Sequence, residues 1–191
     1  MKYTYVVSDI FGLTPALKAL VTTLNTALPV SAPQIIIVDP YHGEQMNFES
    51  EAAAYSYFTE HVGVADYAKH LRATLDLQIY SHNTVIGFSV GASALWALSA
   101  KNNINVDHAI YFYGSQIRHW LDIQPQIKST VILPKKEEHF DVDDLQEKLK
   151  NLSMVSIKRC SFYHGFMNRH SVNFNEKAYR TYTCWLCEQL T

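Results

Sequence analysis

Short apolar runs alternate with longer stretches of helical periodicity along the chain, and this alternation limits the fold more than any other feature. Tyr3 to Val7 (YTYVV), Gln34 to Asp39 (QIIIVD) and the runs HNTVIGF, DHAIYFY, STVIL and MVSIKRCSFY read as six strands. The continuous β-branched run in QIIIVD is the kind that a buried parallel strand carries. Helical patterns lie between them: a stretch opening at Thr14, a cap residue followed by Pro15; Tyr57 to Leu77, with a break expected at Gly63; Gly91 to Lys101; Val142 to Asn151; and Phe174 to Gln189. Alternating strand and helix implies parallel strands joined by right-handed crossovers, hence an open sheet with helices on both faces. Ligands on such sheets bind beyond the carboxyl ends of the strands, so the residues of a site should fall just after strands.

The 191 residues suffice for one well-buried core and are read as one domain over 1–191. Hydrophobic residues at 48% and charged ones at 18% exclude disordered and fibrous classes. A net charge of -2 excludes nucleic acid or an anionic membrane as the main partner and points to a small-molecule ligand. Asp9 interrupts the N-terminal apolar run before a signal-peptide core or membrane span forms, so a cytoplasmic location is expected. Cys160, Cys184 and Cys187 are too few and odd in number for a disulfide framework. Cys184 and Cys187 form a CxxC, but inside the last helical pattern, where packing is the expected role rather than redox or metal chemistry. No metal and no organic cofactor is implied.

Gly87-Phe88-Ser89-Val90-Gly91 matches G-x-S-x-G directly after the strand TVIGF and directly before the helix ASALWALSA. That context is what a nucleophile elbow requires: a tight turn strains the serine backbone, and small residues on either side let strand and helix approach and expose the hydroxyl. The other reading is a glycine-lined turn of a flavodoxin-like sheet, with Ser89 as a cap. A serine nucleophile needs a base, and the base an orienting carboxylate, in the order serine, acid, histidine on this fold. After STVIL comes PKKEEHFDVDDL, offering Glu137, Glu138 and Asp141; after the last strand comes YHGFMNRH, offering His164. Two backbone donors are also required, and the amides of Val90 and Ile10 are the candidates. Asp9, in the same loop as Ile10, either caps that turn through its own backbone or lies close enough to Ser89 to bias its protonation.

These segments resemble the dienelactone hydrolase family of α/β-hydrolases. VVSDIFGLTPAL is similar to the family's segment after its oxyanion strand, VDPYHG to its next strand end, GFSVGAS to its elbow, EEHFDV to its Asp-His-Phe acid loop and YHGF to its histidine loop. The resemblance implies Ser89 as nucleophile, His164 as base, Glu138 as orienting acid and the Ile10 and Val90 amides as the oxyanion hole. Asp9, Phe11, Tyr41, Phe88, Phe166 and Arg169 are the residues expected to wall the substrate pocket. Three departures stand out. Serine replaces the cysteine of the family's type enzyme; Lys135 replaces a glycine of the acid loop; and Asn168 stands where an arginine holds the substrate carboxylate, with Arg169 one place on. Dienelactone itself is therefore not the expected substrate. The leading strands are missing, so a sheet of about six strands is expected, with no lid domain; only YHGEQMNFESEAAAYSYF is long enough to wall the site. The implied activity is carboxylic-ester hydrolysis of a small ester or thioester. The rival is a catalytically degenerate protein of the same fold that binds a ligand in the cleft.

Overall fold

The computed structural model describes residues 2–77, 82–101 and 103–191. Strands β1 (Lys2–Val7), β2 (Gln34–Val38), β3 (His82–Phe88), β4 (His108–Phe112), β5 (Lys128–Leu133) and β6 (Val155–Arg159) form one sheet in the order β2-β1-β3-β4-β5-β6. Every neighbouring pair is parallel. The connections carry helices α1 (Pro15–Ala27), α2 (Glu51–His61), α3 (Gly63–Asp76), α4 (Val90–Leu98), α5 (Val142–Leu149) and α6 (Glu176–Leu190). The chain runs outward from β1 to β2, returns to the other side of β1 as β3, then steps one way to β6. The direction reverses between β1 and β3, and the crevice at their carboxyl ends is where such sheets hold ligands.

Both faces of the sheet are covered at its centre, which explains why the inner strands carry continuous apolar runs rather than alternating ones, whereas the edge strand β6 is partly exposed. On one face Tyr5, Val7, Val85, Tyr111 and Val131 pack with Phe58 of α2, Leu71 and Leu75 of α3, Leu95 and Trp96 of α4 and Leu145 of α5. On the other, Val6, Ile86, Ile110, Phe112 and Ile132 pack with Leu20 and Leu24 of α1 and Leu186 of α6. Thr14 caps α1, its hydroxyl accepting from the Leu17 amide at 3.1 Å. Among the described residues no helix is long and apolar enough to cross a membrane. Cys184 and Cys187 lie on α6 with free thiols, Cys187 packed against the second face's core.

The elements depart from the sequence expectation where periodicity is weak. The helix expected from Tyr57 begins at Glu51, capped by Ser50, whose hydroxyl accepts from the Ala53 amide at 3.1 Å. Only Ala54 and Phe58 of that helix are buried, so it has little apolar stripe to read. The break at Gly63 lies at the start of α3, with the glycine at φ +68°. The last strand ends at Arg159, short of the expected Tyr163, because the chain beyond it turns into the histidine loop.

His108 opens β4 with its ring bonded to the Thr130 hydroxyl of β5 at 2.9 Å. Burial, aided by the Lys128 charge, pushes its pKa down to about 4. The unfolded chain therefore takes up this proton first as pH falls, so stability held above the ordinary histidine range near pH 6.5 is lost as pH drops toward 4. Denaturant titrations between pH 7 and 4 should show that loss, and His108→Gln should flatten the pH dependence over this window.

Candidate active site

Between β3 and α4 the chain turns at one residue. Ser89 sits at φ +52° and ψ -114°, a region that non-glycine residues seldom occupy. Its amide donates to the Phe112 carbonyl of β4 at 2.9 Å, and the Ser93 hydroxyl donates to its carbonyl at 3.1 Å. The two glycines of the motif are small because backbone lies against them. A Cβ on Gly87 would be 2.6 Å from Ala92 Cα, and one on Gly91 would collide with the Ser8 carbonyl oxygen. The first turn of α4 thus rests on the end of β1, beside the loop that carries Asp9 and Ile10.

The Ser89 hydroxyl lies 2.9 Å from His164 Nε2, and His164 Nδ1 lies 2.8 Å from Glu137 Oε1. A carboxylate only accepts, so Nδ1 carries the proton and donates to Glu137, which leaves Nε2 as the acceptor for the Ser89 hydroxyl. The Glu137 side chain is only 10% exposed and that of His164 22%. The pair is therefore shielded from the solvent that weakens surface ion pairs.

The expectation of Glu138 beside His164 is corrected: Glu138 is exposed, as is Lys136, and Glu137 between them turns inward. The chain bends at Glu138, and of the two glutamates it is Glu137 that reaches the imidazole. A glutamate carries one methylene more than aspartate, which lets a residue one place earlier than the family's aspartate deliver its carboxylate. Asp141 is the cap of α5, its carboxylate accepting from the Asp143 amide at 2.8 Å. Lys135 needs no glycine conformation, since it is not among the positive-φ residues. Its amide donates to the Phe162 carbonyl at 2.7 Å, and Arg159 donates to the Pro134 and Lys135 carbonyls at 3.1 and 3.3 Å. These bonds join the acid loop to the histidine loop.

The loop after β1 is held from two sides. Asp9 accepts from the Phe11 amide at 3.0 Å and from the Asn168 side chain at 2.5 Å. Burial raises its pKa; the Asn168 and Phe11 bonds and the nearby His164 and His170 act in the opposite direction. Asp9 thus caps its own turn, the first of its two expected roles, and also lies within the electrostatic reach of His164. Tyr41 donates from its hydroxyl to the Ile10 carbonyl at 2.7 Å, and burial raises its pKa. Tyr41 is in turn fixed by Asp39, which accepts from the Tyr41 and Gly43 amides at 2.9 Å each. Val90 is the first residue of α4, so its amide is one of those that have no partner inside the helix.

The expected pocket walls divide. Asp9 and Phe88 line a cleft at the crevice together with Ser8, Leu17, Leu20, Tyr113, Met167 and Asn168. Phe11 is buried against the His170 ring at 5.5 Å, and Tyr41 supports Ile10 from behind. Phe166 is corrected to a core residue: it is fully buried between Phe112, Tyr113 and Tyr182. Arg169 is corrected to a surface residue, bound to Glu176 at 3.2 Å and stacked over Phe174 and Tyr179. Two residues were not anticipated. Glu51, at the start of α2 in the segment expected to wall the site, has its pKa raised by burial and pulled back by His164. Tyr113, directly after β4, has φ +41° and its ring 4.9 Å from that of His164. Among the described residues no group of three or more His, Cys, Asp or Glu is arranged to hold a metal.

The family model described as "Dienelactone hydrolase family" matches residues 6–187. The uncharacterized protein YczH of Bacillus subtilis (strain 168) is 28% identical over 174 residues, covering 90% of this chain and 83% of that one. Among solved structures, dienelactone hydrolase from Anabaena variabilis superposes with TM-score 0.65 at 14% identity, over 98% of this chain and 83% of that one. An alpha-beta serine hydrolase homologue from Coxiella burnetii gives 0.61 at 12% identity, over 99% and 85%. At these identities the superpositions show the fold.

The contact between α4 and the end of β1 has a direct test. Gly91→Ala places a methyl against the Ser8 and Val7 carbonyls, backbone that cannot swing aside. The variant should lose about 1–3 kcal/mol of stability in urea denaturation, as overpacked sites do.

Proposed function

The chain belongs to the dienelactone hydrolase family, and we propose that it is a serine hydrolase, a single α/β-hydrolase domain over residues 1–191, that cleaves a small ester or thioester. The observation that carries this reading is the unbroken chain of contacts from Ser89 through His164 to Glu137, at 2.9 and 2.8 Å, at the sheet's topological switch point. A strained serine whose hydroxyl meets an unprotonated imidazole nitrogen, with a shielded carboxylate on the far nitrogen, is the arrangement acyl transfer requires.

In this reading Ser89 Oγ attacks the carbonyl carbon while its proton passes to His164 Nε2. Glu137 holds the ring in the productive tautomer and stabilises the imidazolium. The Ile10 and Val90 amides donate hydrogen bonds to the developing oxyanion. The tetrahedral intermediate collapses by breaking the C–O or C–S bond, and the leaving group takes the proton from Nε2. Water then attacks the acyl-enzyme and gives its proton to Nε2. As the Ser89–acyl bond breaks, that proton returns to Oγ and the acid is released. Because serine is far less acidic than cysteine, the reaction depends on His164 and Glu137 throughout. The surface placement of Arg169 supports a substrate without a carboxylate for it to hold.

Ser89→Ala should abolish turnover of short-chain 4-nitrophenyl esters while leaving the thermal melt intact, and a fluorophosphonate probe should label wild-type Ser89. Absence of labelling together with unchanged turnover in the alanine variant would point instead to a binding protein of this fold. Glu137→Gln should lower kcat by about 10³–10⁴-fold, the scale seen when an orienting carboxylate is neutralised. Glu138→Gln should stay within about 3-fold of wild type, a surface change well under 1 kcal/mol; the reverse ranking would return the orienting role to position 138.

A further inference from the structure

The cleft beside the reacting pair has a polar group that nothing in the mechanism uses. Tyr113 is 1% exposed, its hydroxyl lacks a well-formed hydrogen bond, and its ring lines the cleft. The Met167 main chain beside it relieves only part of a desolvation that pushes the phenol pKa well up. An unpaired buried hydroxyl costs stability, as does the positive φ that holds a bulky tyrosine there. Both costs sit at one residue, next to His164.

The remaining walls define what could satisfy that hydroxyl. Leu17 and Leu20 of α1, Phe88 and Met167 make them mostly apolar, and Asp9 joins Ser8, Thr14 and Asn168 as the other polar residues at the cleft. The open space is about 20 Å³, room for one or two water-sized groups and not for an alkyl chain. The lining adjoins neighbours of the reacting pair: Phe88 precedes Ser89, Ser8 lies against Gly91, and the Tyr113 ring flanks His164. No guanidinium lines the cleft, Arg169 being held by Glu176.

We propose that this cleft is an acyl subsite for a two-carbon acyl group bearing a neutral hydroxyl, a hydroxyacetyl ester or thioester, with that hydroxyl held between Tyr113 and Asp9. The assignment rests on the serine hydrolase reading for its place in the reaction, but the cleft and its polar groups exist independently of it. A hydroxyl fits both partners, since it donates to the Asp9 carboxylate and accepts from the phenol. A longer acyl chain meets Leu17, Leu20 and Met167, and a carboxylate meets Asp9 with no lysine or arginine among the lining residues to offset it.

The test compares kcat/KM for the 4-nitrophenyl esters of acetic, hydroxyacetic and butyric acid, each corrected for its uncatalysed rate. Wild type should favour the hydroxyacetyl ester by about tenfold or more over the other two, the scale of one or two hydrogen bonds. In Tyr113→Phe that preference should fall about tenfold. Ala16→Val, which narrows the cleft from the α1 side, should erase it too and covers the case in which the tyrosine variant does not fold. An undiminished preference in both variants, or a wild type that favours butyryl, overturns the subsite. Calorimetric binding of hydroxyacetamide to Ser89→Ala protein decides the matter without turnover. Binding that is lost when Tyr113→Phe is added supports the cleft even if no ester is cleaved, in which case only the hydrolase reading fails. No binding means that the cleft holds a resident water only, and the proposal falls.

Discussion

The close approach of α4 to the ends of β1 and β3 is the constraint on which the rest of the site depends. It exists because Gly87 and Gly91 present no side chain where Ala92, Ser8 and Val7 backbone lies. The approach forces the turn to be made at Ser89, whose backbone is held in a strained region by the Phe112 carbonyl and by the helix that follows. The same packing sets the free amides at the start of α4 beside the Asp9–Ile10 loop. Strain of this kind persists only where the surroundings over-determine it, and here both faces of a fully parallel sheet do so.

The electrostatics follow from that geometry. Three carboxyl groups act on His164: Glu137 by direct contact, Asp9 and Glu51 at longer range. Only Glu137 is placed to take the Nδ1 proton. Asp9 is occupied by Asn168 and Phe11, and burial raises its pKa.

Most of the fold was legible in the chain because strands buried on both faces carry continuous apolar runs; all six strands were found, though the last was expected to run on to Tyr163 and ends at Arg159. The start of α2 was not, since a helix that buries only Ala54 and Phe58 has no stripe to betray it. The pairing of Ser89 with His164 was suggested by the G-x-S-x-G motif and by the order of the strand-end loops, and the two side chains meet at 2.9 Å. The choice between Glu137 and Glu138 was not legible: it depends on which of two neighbouring side chains a loop turns inward, and that is set by the bonds of Lys135 to Phe162 and of Arg159 to the acid loop. Arg169 and Phe166 went astray for a related reason. Their surroundings, Glu176 and the Phe112–Tyr182 cluster, come from distant parts of the chain. Tyr113 carried no motif; a tyrosine ahead of a glycine at a strand end, YFYG, was the only available hint.

The bond between Asp9 and Asn168 joins residues 159 positions apart, and His164 comes from the same late loop. During synthesis the elbow serine therefore leaves the ribosome well before the imidazole and the residues that steady the opposite loop. Domains fold as their chains complete, so a growing polypeptide carries Ser89 without the imidazole that meets it in the folded protein. The Ser89–His164 contact therefore forms only in the final quarter of translation, and a truncation before the histidine loop removes it altogether.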